Sequence, residues 1–143
     1  MTRTMAWRFV GRLTLAVHVP ENPSNLEWRT LLRDEAARAA PPVNGRTLIV
    51  SYGGGPDGPQ RSLLGQQIKA KPQPTCIMTK SAVVRAITSA LLFFNRNMKV
   101  VGLHDDDDAF AFLGLAPEER TTLQKARKEL EEELGLAVQS ATA

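Results

Sequence analysis

From Trp7 to Val19 apolar and polar side chains alternate. Trp7, Phe9, Leu13, Leu15, Val17 and Val19 share one parity, while Arg8, Arg12, Thr14 and His18 take the other. A period of two over this length predicts a half-buried strand, with His18 near the surface on its more polar side. Gly11 marks either a bulge or the tip of a hairpin that splits the run, and Pro20 and Pro23 stop it. The period then changes. Ser24-Asn-Leu-Glu27 has the spacing of a capping box, and Trp28, Leu31, Leu32, Glu35, Ala36 and Ala39 follow at helical intervals up to Pro41-Pro42.

Asn44-Gly45 predicts a turn into a short apolar strand, Thr47–Tyr52. The loop Gly53-Gly-Gly-Pro-Asp-Gly-Pro59 feeds a helix from Gln60 to about Ala70, with Leu63, Leu64, Gln67 and Ile68 facing one way, broken by Lys71-Pro-Gln-Pro74. Thr75–Thr79 reads as the next strand. Ser81 or Thr79 can cap a helix running to about Arg96, with Asn97 at its C′ position. Within it, at ~100° per residue, Val83, Ile87, Ala90 and Phe94 form the stripe expected to face a sheet. Leu92 falls opposite, beside Arg85 and Arg96. Met98–Leu103 reads as a strand, and Asp105 or Asp106 can cap a short helix through Leu113 that stops at Gly114. Pro117 opens a last helix over about 117–134, with Leu123, Ala126, Leu130 and Leu134 on one face and Gly135 as its stop. The tail, 136–143, is expected to fray.

Strands alternating with helices through short joints predict an α/β protein: one domain over residues 1–143, built on a mainly parallel sheet of four to five strands with an extra C-terminal helix. Its 143 residues, 43% of them apolar, suffice for a core without disulfides, and the single cysteine excludes multi-cysteine metal clusters. Cys76 sits inside an apolar strand and reads as a core residue. No uninterrupted apolar run exceeds five residues, so no membrane span is expected, and the first twelve residues do not read as a secretory leader. The expected location is cytoplasmic. The net charge of +3 divides into +9 over residues 1–103 and −6 over 104–143. The basic residues are scattered, so no nucleic acid is expected; an acidic end folded against the basic part would neutralise it.

Two stretches invite a chemical reading. Gly53–Gly58 matches G-x-G-x-x-G formally, but no acid stands about 20 residues on, and Pro56 and Pro59 remove amides that a phosphate would need. His104 and Asp105–Asp108 are consecutive, so their side chains diverge around a helix start and form no metal set. With no acid–base pair in reach of Cys76, no enzyme and no cofactor are expected.

The strand Thr47–Tyr52 with its loop and short helix, the unit Thr75–Ile87, the strand Lys99–Leu103 and the closing segment Asp107–Gly114 together resemble a STAS-type domain of the anti-sigma-factor antagonist class (SpoIIAA-like). The resemblance covers Arg46–Leu115. It implies a regulatory module in bacterial signalling that binds a protein partner, commonly a switch kinase, and is often toggled by phosphorylation in an Asp-Ser-Ser-Gly segment. Here that segment reads Pro56-Asp-Gly-Pro-Gln-Arg-Ser62: Asp57 matches the acid, glycine and proline replace the serines, and Ser62 comes late. The reading is therefore a non-enzymatic partner-binding module without the usual phospho-switch. The partner, a regulator or a second copy, would contact Gly54, Gly55, Asp57, Gln60, Arg61 and Ser62 in the loop and Arg85, Leu92 and Arg96 on the following helix. The alternative is a domain that binds a small ligand, nucleotide or lipid, near the strand ends.

Overall fold

A two-residue turn reverses the first strand onto itself. β1 (Met5–Val10) and β2 (Leu13–His18) pair antiparallel about Gly11, whose φ of +59° lies in the left-handed region that glycine adopts without strain. The register sets Trp7 opposite Ala16 and Phe9 opposite Thr14. Opposed residues share a face, so the reversal exchanges the parities. Trp7 and Phe9 lie on one face; Leu13, Leu15 and Val17 lie on the other. The single apolar face expected from the alternation is thus corrected to two. All six residues of β2 are buried, and His18, expected near the surface, is 3% exposed. An interior strand is covered on both faces.

The computed structural model describes residues 3–38, 45–70, 73–92 and 96–136. The expected Pro41-Pro42 stop, the Asn44 turn residue, the Lys71-Pro72 break, Phe94 and the tail beyond Leu136 lie outside them. Five strands follow one another across a single sheet in the order β1-β2-β3-β4-β5, with β3 (Arg46–Ser51), β4 (Thr75–Thr79) and β5 (Met98–Val101) parallel to β2. α1 (Asn25–Arg38), α2 (Gly58–Ala70) and α3 (Ala82–Leu91) make the three crossovers. Successive crossovers of one hand, advancing in one direction, put their helices on one face of the sheet. α4 (Asp106–Leu113) and α5 (Pro117–Glu133) cover the other. The chain is one α/β domain with a mixed, mainly parallel sheet.

The helix starts follow local chemistry. The Glu27 amide donates to Ser24 Oγ (3.1 Å), and the Ser24 amide returns a bond to the Glu27 carboxylate (3.2 Å). A second reciprocal cap, between Asp57 and Gln60 (2.9 and 3.0 Å), starts α2 at Gly58, two residues before the expected Gln60. Ser81 Oγ accepts from the Val84 amide at the start of α3 (3.2 Å). At α4, Asp105 holds the N-cap position without capping: its carboxylate takes the Gly102 amide instead (3.0 Å). Gly114 and Gly135, at φ +64° and +78°, close the last two helices as expected.

α3 departs from expectation twice. It ends at Leu91, so Asn97 is not its C′ residue. Its buried positions are Val84, Thr88 and Leu91, a stripe turned by one residue from the expected one, and Val83 is 67% exposed. Thr88 tolerates burial because its hydroxyl donates to the Val84 carbonyl (2.9 Å), leaving no unpaired donor. On α2, Leu63 likewise turns outward at 40% exposure.

The two faces of the sheet are filled unequally. On one, Leu15, Val17, Leu48, Val50, Cys76 and Met78 meet Phe110 and Leu113 of α4 and Leu123, Ala126 and Leu130 of α5 in a continuous core. The acidic α5 lies across β1 and β2, where Arg8 of β1 pairs with Glu129 and Glu133, and Arg46 of β3 pairs with Glu119. This juxtaposition accounts for the opposite charges of the two parts of the chain, although exposed pairs of this kind add little stability individually. A tighter tie lies further in, where the Tyr52 hydroxyl donates to Glu131 and the Arg127 guanidinium bridges Glu131, Asp106 and the Leu103 carbonyl. On the crossover face the buried cluster among the described residues is the smaller one of Met5, Trp28, Leu31 and Leu32, with Trp7 and Leu64 packed against it. Beside that cluster lies a cavity.

Candidate functional site

The cavity, of about 220 Å³, lies between the sheet and its three crossover helices. Its floor is the face of the sheet carrying Ala16, Ile49 and Ile77. Trp28 and Leu31 of α1, Leu64 of α2 and Val84 and Leu91 of α3 wall it from above. α1 packs on α2, whereas α3 leans on β5 and makes little contact with α2, which leaves the space between them. The floor side chains are small or branched because period two sends every second residue of β2, β3 and β4 to this face. The walls are mainly apolar, with Thr47, Ser51, Thr75, Glu35 and Gln67 as polar interruptions. Several of these are held by the protein: Thr47 Oγ1 bonds Glu35 (3.3 Å) and Gln67 Nε2 donates to the Leu32 carbonyl (3.2 Å).

His18 also borders the cavity and differs from the others. Its ring lies 6.3 Å from that of Trp28, centroid to centroid, and its Nδ1 is sealed from solvent with no hydrogen-bond partner. Burial lowers its pKa from 6.5 to about 4, against the opposing pull of the Glu27 carboxylate, so the imidazole is neutral at pH 7. Trp28 is fixed by a bond from Nε1 to the Gln60 carbonyl (3.0 Å). Glu27 is itself anchored: partial burial raises its pKa, but hydrogen bonds from Thr4 and Ser24 outweigh this and bring it to about 2. No Lys or Arg borders the cavity among the described residues.

The glycine loop stands at one end of this cavity, and its polar groups are largely committed. The Gly53 amide donates to Ser51 Oγ, the Gly54 amide to the Val19 carbonyl and the Asp57 amide to Gln60 Oε1. With Pro56 and Pro59 lacking amides altogether, little remains to cradle a phosphate. Gly54 and Gly55 are buried, and a Cβ on Gly54 would collide with the Glu21 and Val19 carbonyls. Gly54 is thus a residue of close packing and Gly55 a wall of the cavity.

The residues expected to meet a partner therefore divide. Gln60 is corrected to an internal strut: it is 2% exposed, and its Nε2 donates to the Pro23 carbonyl and Asn25 Oδ1. Buried Gly54 and Gly55 likewise offer no surface. Asp57, Ser62, Arg85, Leu92 and Arg96 are exposed, and Arg61 is half-buried with a bond to the Pro56 carbonyl. Leu92 is 37% exposed on the side of α3 that carries Arg85. Cys76 is fully buried, and burial raises its thiol pKa to about 12. Among the described residues no three His, Cys, Asp or Glu side chains could share a metal ion, and no helix is long and apolar enough to cross a membrane. His18 and its apolar neighbours escaped the sequence reading because its parity pointed to solvent. The one available signal was Gly11, read as a hairpin tip.

Comparison with protein-family models, with curated proteins and with solved structures finds no match to this chain.

Proposed function

We propose that this chain is a non-enzymatic binding domain that holds a small ligand in the cavity beneath its crossover helices. The observation that carries the reading is the apolar cavity of about 220 Å³ between the sheet and its crossover helices; a second hollow of about 240 Å³ lies at the rim of the other face, between Leu13, Leu115 and Leu123 and the acidic Glu118 and Glu119. Pockets of this kind, mainly apolar with a few convergent polar groups, are the usual form of small-molecule sites. A nucleotide is the less favoured ligand, because no cation borders the cavity among the described residues and the loop amides are in use. A thermal-shift screen of nucleotides, lipids and small aromatic compounds tests the proposal, beside the variant Ala16→Leu, which fills the cavity floor. Apolar compounds should raise Tm in the parent and not in the variant. Absence of any shift, or shifts that persist in Ala16→Leu, would overturn it.

The resemblance to STAS-type domains supports a second reading, a regulatory module that binds a protein. The exposed Leu92 beside Arg85, with Asp57 and Ser62 at the start of α2, favours this reading. Leu92→Asp should abolish partner capture or self-association with Tm nearly unchanged. A variant that binds normally would remove this surface from consideration.

A further inference from the structure

The cavity has a definite chemical character, and it narrows the ligand class. Resting on the ligand-binding reading above, we infer that the cavity selects a neutral, single-ring molecule carrying one hydroxyl, with His18 as the residue that recognises the hydroxyl.

Size sets the first limit. An apolar cavity of ~150 Å³ accepts benzene, and drug-sized ligands occupy ~300 Å³ or more. At about 220 Å³ this one suits a ring with a short substituent. Charge sets the second. Among the described residues no Lys or Arg borders the cavity, whereas Glu35 does. An anion such as a carboxylate or phosphate would be desolvated there without a counter-charge. The aromatic preference comes from the wall itself, where Trp28 and His18 stand as a tilted pair, 6.3 Å between centroids, beside Ile49 and Ile77.

The polar group follows from His18. The residue is 3% exposed, borders the cavity, and has a ring nitrogen with no hydrogen-bond partner. Buried polar atoms in folded proteins are nearly always paired. Every other polar group named on this wall has a role within the fold or is a hydroxyl that can bond locally. A neutral imidazole has one donor and one acceptor nitrogen, and a ligand hydroxyl can serve either as acceptor or as donor. A hydroxyl therefore satisfies either tautomer; Nδ1, which has no accessible surface as the ring stands, meets it only once the imidazole turns about its Cβ–Cγ bond. A phenol combines this group with the ring that the cavity admits.

The test compares three probes of similar shape, 4-ethylphenol, ethylbenzene and 4-ethylbenzoate, by calorimetry on the full chain at pH 7.5. The parent should bind 4-ethylphenol best and 4-ethylbenzoate not at all. In His18→Phe, 4-ethylphenol should lose about tenfold in affinity, the worth of one net hydrogen bond, while ethylbenzene changes little. Should that variant not fold, the ring ¹⁵N resonances of His18 in the parent are the readout. They should move with 4-ethylphenol and stay still with ethylbenzene. Equal binding of 4-ethylphenol and ethylbenzene, with no response from His18, would reject recognition of the hydroxyl while leaving a binding cavity. Preference for 4-ethylbenzoate would reject the neutral class. Failure of all three probes to bind would overturn this inference, and the thermal-shift screen would then decide the broader reading separately.

Discussion

The imidazole of His18 lies against the indole of Trp28 with ring centroids 6.3 Å apart, and both rings border the same cavity. Because burial holds the His18 pKa near 4, against 6.5 for the free group, the unfolded chain takes up a proton at a pH where the folded chain does not. Stability should be unaffected by this residue above pH 6.5 and fall as pH drops from 6.5 towards 4. The slope approaches ~1.4 kcal/mol per pH unit, about 3 kcal/mol in all. Urea titrations across pH 4.5–8 measure it, and His18→Phe should flatten the profile. An unchanged slope in that variant would show that another group titrates.

Glu27 joins two elements through one carboxylate. It accepts from the Thr4 amide and hydroxyl and from Ser24, fixing the start of β1 to the start of α1. Glu27→Ala should cost about 1–2 kcal/mol, the range for losing a helix cap and a charged hydrogen bond. Its folded pKa of about 2 makes this contribution complete above pH 4.5 and lost as pH falls towards 2. The difference in stability between parent and Glu27→Ala should therefore shrink in acid. A difference independent of pH would assign the effect to packing alone.

Gly54 lies directly against the backbone of residues 19–21. Since an added Cβ would meet the Glu21 and Val19 carbonyls, Gly54→Ala has no flexible neighbour to displace. The substitution should lower Tm by several degrees and disturb the amide resonances of both segments. Gly114→Asn, at an open left-handed position, should be much milder.

α5 supplies Leu123, Ala126 and Leu130 to the larger core, and each is nearly inaccessible. Truncation after Leu115 should abolish cooperative unfolding, because it uncovers the faces of β1 and β2. The milder Leu130→Ala should cost about 2–5 kcal/mol. A truncated chain that still melts cooperatively at the parent Tm would show α5 to be dispensable.

Cys76 offers an internal reporter. Fully buried, with its thiol pKa raised to about 12, it should react with a disulfide reagent only after global unfolding. Its labelling rate should follow stability across the variants above. Rapid labelling of the native parent would contradict its place in the core.

Much of this protein was determined by its sequence acting over a few residues at a time. The Ser24–Glu27 and Asp57–Gln60 boxes, Ser81, Pro117, Gly114 and Gly135 set helix ends through hydrogen bonds and backbone geometry that span one turn. The apolar face of α5 was legible for the same reason, since an amphipathic helix with one buried side carries its pattern in its own period. The α/β alternation followed from these elements.

The tertiary structure decided what lies across from each face. In β2 both faces are covered, so parity could not distinguish a buried His18 from an exposed one; only the reversal at Gly11 and the placement of α1 settled it. α3 buries Thr88 in its turned stripe at no cost in unpaired donors, since the hydroxyl bonds the Val84 carbonyl, an option that a count of apolar side chains does not register. The cavity belongs entirely to this level. It exists because α1 and α2 close on one another while α3 leans on β5, and its walls come from seven separate segments whose side chains are individually ordinary. Local patterns specify elements within the reach of a hydrogen bond or a helical turn, whereas a cavity is a property of the distances between elements.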